Sequence, residues 1–136
     1  MKKCFLVVLA IVAAVGVAAP VVNHAQAFKA QKFDIKGDGG TDYISVESAT
    51  GRVFVSRSTH VMVVDASGKV LGDIPNTPGV HGAGIATKSG HGFTTNGGDS
   101  TVTMFDLKTL AAIKQIKVSQ GGLDGIMYDS RTTRSF

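Results

Sequence analysis

The amino-acid sequence predicts an all-β chain assembled from repeated four-stranded antiparallel sheets. Three observations support this. Beyond Gln31, short runs of β-branched and aromatic residues alternate with glycine-bearing turns. The runs recur: Ile44, Ile85 and Ile126 are spaced by 41 and 41 residues, and Asp65 and Asp106, each closing an apolar run, by 41. Four strand-like runs fall within each period. Self-similarity near 40 residues with four strands per unit is the sequence mark of a propeller blade.

The first 27 of the 136 residues have a different character. Lys2 and Lys3 open the chain, and no Asp, Glu, Lys or Arg follows until Lys29. An apolar core over residues 5–15, then Pro20 and Ala25-Gln26-Ala27, completes the pattern of a cleaved export signal. We therefore expect a signal peptide over residues 1–27, a partial propeller over 28–136, and a periplasmic or secreted protein. A retained membrane anchor is the alternative, because the uncharged stretch is long enough to span a bilayer. The single cysteine, Cys4, precedes the apolar core. That excludes an internal disulfide framework and a multi-cysteine zinc site. Without the leader the net charge is +2, spread without a run, so no nucleic-acid footprint is expected.

The units are expected to start near residues 43, 84 and 125. Val53-Phe54-Val55 and His60-Val61-Met62-Val63-Val64 read as strands of the first, the latter continuous enough to be buried on both faces. Val102-Thr103-Met104-Phe105 and Ile113-Lys114-Gln115-Ile116-Lys117-Val118 continue the pattern in the second. Between strands stand Ala49-Thr50-Gly51, Ala66-Ser67-Gly68, Lys88-Ser89-Gly90 and Asn96-Gly97-Gly98-Asp99. Asp65 and Asp106 end apolar runs where a turn needs a short acceptor for backbone N–H groups, a structural role rather than a catalytic one. Residues 107–112 could open a helix, although the stretch is too short to hold one without tertiary help.

No catalytic constellation emerges. His24 lies in the leader, and His60, His81 and His91 lack the spacing of a metal site. Gly82-Ala83-Gly84 and Gly90-His91-Gly92 do not continue into a dinucleotide fingerprint, and no phosphate-binding loop or nucleophile elbow is present. Asp34, Asp38 and Asp42 fail the EF-hand spacing. Glu47 is the only glutamate, so a pair of glutamates is impossible. No cofactor, metal site or catalytic residue is expected.

Several segments resemble the exported YncE-like, YVTN-repeat β-propeller family. In the first unit these are Gly39-Gly40-Thr41-Asp42-Tyr43-Ile44-Ser45-Val46, Gly51-Arg52-Val53-Phe54-Val55-Ser56, and His60 through Asp65. Gly68-Lys69-Val70-Leu71-Gly72-Asp73-Ile74-Pro75 and Pro78-Gly79-Val80-His81-Gly82 extend the likeness. In the second unit Phe93-Thr94-Thr95-Asn96 stands where the family carries Tyr-Val-Thr-Asn, and Ser100 through Leu107 follows. The resemblance implies a propeller of about seven blades. This chain supplies two and the start of a third, ending mid-strand at Phe136. Thr41 stands where relatives often carry an aromatic residue.

The same resemblance implies that the loops leading into the innermost strands ring the mouth of a central channel. It makes Asp42, His81 and Asp124 the candidate ligand-binding residues, with Gly40, Gly82 and Gly122 beside them. The glycines have a plainer explanation too, since backbone at a crowded axis needs freedom at positive φ. The expected function is a non-enzymatic binding or scaffold module for an unknown protein or small molecule. The alternative is a fragment of a lactonase-like or dehydrogenase-like propeller enzyme whose active site needs further blades. An open array exposes an apolar blade face at each end, worth on the order of 10 kcal/mol of unmet burial at about 25 cal/mol per Å². Self-association through those faces and through unpaired strand edges is a further expectation.

Overall fold

Two four-stranded antiparallel sheets and a two-stranded hairpin follow one another along the chain in a computed structural model that describes residues 29–119 and 121–136. The expected leader, residues 1–27, lies outside the described residues. Residues 32–136 form one compact unit, and residues 29–31, assigned to the unit before it, are exposed and irregular. No helix among the described residues is long and apolar enough to cross a membrane.

The first sheet contains β1 (Ile44–Glu47), β2 (Arg52–Ser56), β3 (Val61–Val64) and β4 (Val70–Ile74), paired in sequence order. The second contains β5 (Val80–Ala86), β6 (His91–Asn96), β7 (Thr101–Asp106) and β8 (Ala112–Lys117), again in sequence order. Each is an up-and-down meander, the form of a propeller blade. The hairpin pairs β9 (Tyr128–Asp129) with β10 (Arg134–Ser135). The second sheet opens at Val80, so Ile85 lies inside β5 rather than at its head.

Turn chemistry sets the strand ends. Asp65 Oδ1 accepts hydrogen bonds from the Ser67 backbone N–H (2.8 Å), the Ser67 hydroxyl (2.6 Å) and the Lys69 backbone N–H (3.0 Å). Asp106 Oδ1 does the same for the N–H groups of Lys108 (2.9 Å) and Thr109 (2.7 Å) and the Thr109 hydroxyl (3.0 Å). These donors hold both carboxyls below the ordinary aspartate range, the Ser67 hydroxyl leading at Asp65 and the Thr109 N–H at Asp106. Residues 107–112 form a single turn and no helix. The Asp106 carboxylate caps the N–H groups of Lys108 and Thr109 and its carbonyl accepts from the Leu110 N–H (2.9 Å), but Leu110 takes a left-handed conformation at φ 63° that ends the turn and leads the chain into β8.

The apolar core lies between the two sheets. Phe54, Val61, Val63 and Ile74 of the first meet Val80, Ala83, Phe105, Leu107 and Leu110 of the second, all buried. Alternation along each strand puts these side chains on facing surfaces. The Phe54 and Phe105 rings lie 6.0 Å apart at 39°. Phe105 covers its cross-strand partner Gly92, where any Cβ would collide with the ring. On the first sheet, the segment over residues 33–40 contributes Phe33, packed on Gly68, and Arg57 donates to the carbonyls of Gly37 and Asp38.

The Phe93-Thr94-Thr95-Asn96 run has a structural explanation. Asn96 is fully buried, and its Nδ2 donates to the hydroxyls of Thr101 and Thr103, both at 2.9 Å. Its Oδ1 accepts from the Thr94 hydroxyl at 2.8 Å. Ser56 is its counterpart in the first sheet, pairing with Val61 as Asn96 pairs with Thr101. The buried Ser56 hydroxyl has no partner among the described residues. Asn96→Ala should therefore destabilise the chain by about 2–3 kcal/mol by stripping three threonine hydroxyls of a partner, while Ser56→Ala should change stability by less than about 0.5 kcal/mol. Urea midpoints at constant m-value check both.

Candidate functional site

Asp42 and Asp124 lie in the segments before β1 and β9, whereas His81, expected on the connection leading into a strand, stands inside β5, which begins one residue earlier at Val80. Asp42 precedes β1, where its N–H donates to the Ser56 carbonyl (3.2 Å). The next residue, Tyr43, donates its N–H to the His81 carbonyl (3.1 Å), which ties the first unit to the second beside the candidate residues. His81 is the second residue of β5 and falls where the β5–β6 register shifts between Val80 and Gly82. Such bulges re-aim a side chain away from its ladder direction. Asp124 is positioned by a hydrogen bond from the Thr95 hydroxyl in β6 to its carbonyl.

The three side chains converge. His81 Nδ1 lies 2.8 Å from Asp42 Oδ2 and 3.9 Å from Asp124 Oδ1. Their side chains are 35%, 42% and 68% exposed for His81, Asp42 and Asp124, so all are reachable from solvent. A carboxylate partner requires a proton on Nδ1, which fixes the tautomer of the neutral ring. The remaining ring nitrogen, Nε2, packs against Gly97, where an added Cβ would come within 2.6 Å of it. Glycine at 97 therefore leaves room for the imidazole.

The other two histidines among the described residues sit elsewhere. His60 Nε2 faces Asp73 Oδ1 at 3.7 Å, with its Nδ1 3.2 Å from the Thr59 hydroxyl. His91 opens β6 after the turn at Gly90. No group of three or more His, Cys, Asp or Glu side chains among the described residues is arranged to hold a metal ion.

A groove that sequence reasoning missed is lined by Tyr43 and Gly125, the chain neighbours of Asp42 and Asp124. Tyr43, Ile44, Ile126, Met127 and Phe136 supply its apolar lining. The available signal was positional: Tyr43 follows Asp42, and Ile126 stands two residues after Asp124. What periodicity does not reveal is that the start of the first unit and the end of the described hairpin share one surface.

Comparison with protein-family models gives no match, and comparison with curated proteins gives none. Solved structures do match. The chain is similar to hydrazine synthase from Kuenenia stuttgartiensis, a β-propeller-containing protein, at a TM-score of 0.64 and 19% sequence identity. The match covers 77% of this chain and 30% of that one, so this chain spans less than a third of that protein's length. At that identity the likeness shows the fold alone: antiparallel four-stranded sheets of a propeller-like kind.

Proposed function

We propose that this chain is part of an exported β-propeller of the YncE-like, YVTN-repeat kind, acting as a non-enzymatic binding or scaffold module with its ligand held by the loops leading into the inner strands. The observation that carries this reading is the convergence of Asp42, His81 and Asp124 from three consecutive units onto one reachable point. Repeat proteins build binding surfaces in this way, one loop per repeat on a shared face. The two blade-like sheets support the propeller class, and the basic-apolar-small pattern of residues 1–27 supports export.

A second reading, a fragment of a propeller enzyme, is favoured by one observation. The Asp42–His81 pair is an arrangement by which a carboxylate orients an imidazole for acid–base work. Ligand-observed NMR screening of a mixed metabolite library separates the two. Binding without turnover, weakened at least tenfold in His81→Gln, is the expected result. Product formation that disappears in His81→Gln would establish the enzyme reading instead, and hits indifferent to His81 would remove this site from either.

A further inference from the structure

The groove lined by Tyr43 and Gly125, which follow Asp42 and Asp124 in the chain, has a definite chemistry. Its volume is about 490 Å³, in the range of small-molecule sites. Tyr43, Met127 and Phe136 are 49%, 65% and 67% exposed, large apolar side chains that neither sheet packing nor the hairpin covers. The Tyr43 ring connects the groove to the acidic cluster, since its edge lies against Gly125, the neighbour of Asp124. A Cβ built on Gly125 would stand 3.6 Å from Tyr43 Cε2.

The cluster is short of positive charge. Asp42 and Asp124 both face His81, and neither pairs with a lysine or arginine among the described residues. Two carboxylates against one imidazole leave net negative charge even when the ring is protonated. The ring nitrogen that a metal would need, Nε2, is packed on Gly97. The two exposed carboxylates therefore favour a cation, and the apolar lining of the groove favours one with an apolar body.

We propose that this site binds a small organic cation, an amine or quaternary ammonium carrying an apolar body. This rests on the binding reading above and names its ligand class. The charged group sits beside Asp42 and Asp124 and against the Tyr43 ring, whose face attracts cations. The apolar body lies along Ile44, Ile126, Met127 and Phe136.

The test is calorimetry and amide-resolved NMR titration of the chain with benzyltrimethylammonium, tetramethylammonium, benzyl alcohol and phenylacetate. Benzyltrimethylammonium should bind at least tenfold more tightly than any of the other three, with shifts centred on residues 42–45 and 124–127. Asp42→Asn combined with Asp124→Asn should abolish that preference while leaving the weak binding of benzyl alcohol unchanged. Tyr43→Leu should weaken the cation several-fold and leave the folded spectrum intact. Equal binding of benzyl alcohol or phenylacetate, or no cation binding by the folded chain, overturns the proposal. So do groove shifts that depend on protein concentration alone, which would identify a second copy as the occupant. If the cation fails while His81-dependent hits persist in the metabolite screen, the ligand class is wrong and the binding reading stands. If no His81-dependent hit exists, the reading itself fails.

Discussion

Phe105→Ala should lower the stability of the chain by about 3–5 kcal/mol, the range for truncating a fully buried aromatic residue. Phe105 has no exposed surface, stands in β7 at the centre of the intersheet core, and meets the Phe54 ring 6.0 Å away. Its cross-strand neighbour on β6 is Gly92, which has no side chain to move into the cavity. Since whole domains are stable by about 5–15 kcal/mol, this one change should remove a large part of the total. Gly92→Ala approaches the same contact from the other side. Alone it drives a methyl into the ring and should destabilise; combined with Phe105→Ala it should be far less harmful, because the colliding ring is gone. That non-additivity, measured by urea unfolding, reports the contact directly. A loss below about 1 kcal/mol for Phe105→Ala would mean that the two sheets do not share this core.

Arg52→Met should be the second large effect, about 3 kcal/mol at neutral pH, because it leaves the Glu47 carboxylate buried without its cation. Arg52 Nε lies 2.7 Å from Glu47 Oε2, and its Nη1 donates to the Leu107 carbonyl of the second unit, also at 2.7 Å. The guanidinium also stands 5.5 Å from the Phe54 ring centroid. One side chain thus links a hairpin of the first sheet, the turn after β7 and the aromatic core. The hydrogen bond from Arg52 holds the Glu47 carboxyl below the ordinary glutamate range, with help from the Thr50 hydroxyl and against the opposing effect of burial.

A carboxyl depressed in the folded state stabilises above its unfolded value of about 4.3 and loses that contribution as pH falls through the lower folded value. The gap between the parent chain and Arg52→Met should therefore be widest near neutrality and narrow below pH 4.3. Asp65, Asp106 and Asp129 are also depressed, each by hydrogen bonds within its own turn, but they act in both proteins and cancel in the comparison. A gap that stays constant down to pH 3 would show that Arg52 acts through packing alone.

Much of this architecture is legible in the residues because its causes are local. A β-branched run such as Val61-Met62-Val63-Val64 becomes a buried central strand, and Asp65 and Asp106 end their strands by binding N–H groups two to four residues on. The stretch over residues 107–112, too short to hold a helix of its own, closes one turn capped by Asp106 and stops at the left-handed Leu110. The left-handed position in the first hairpin of each unit is filled by Gly51, Gly90 and Thr133, at φ 73°, 72° and 57°. Two of the three are visible as glycines; the third shows only in the backbone.

By itself, then, the sequence determines the strands, their turns, the 41-residue repeat and the positions of the acidic and histidine residues near the first strand of each repeat. Three facts belong to the folded chain: the contact between Asp42 and His81, the approach of Asp124, and the groove joining Tyr43 to Phe136. The reason is range. Turns and strands follow from interactions among near neighbours, whereas His81 meets Asp42 across 39 residues through a bulge and a stacked pair of sheets. A bulge and a stacking angle have no periodic signature; they are settled by how Phe54, Phe105 and their neighbours pack.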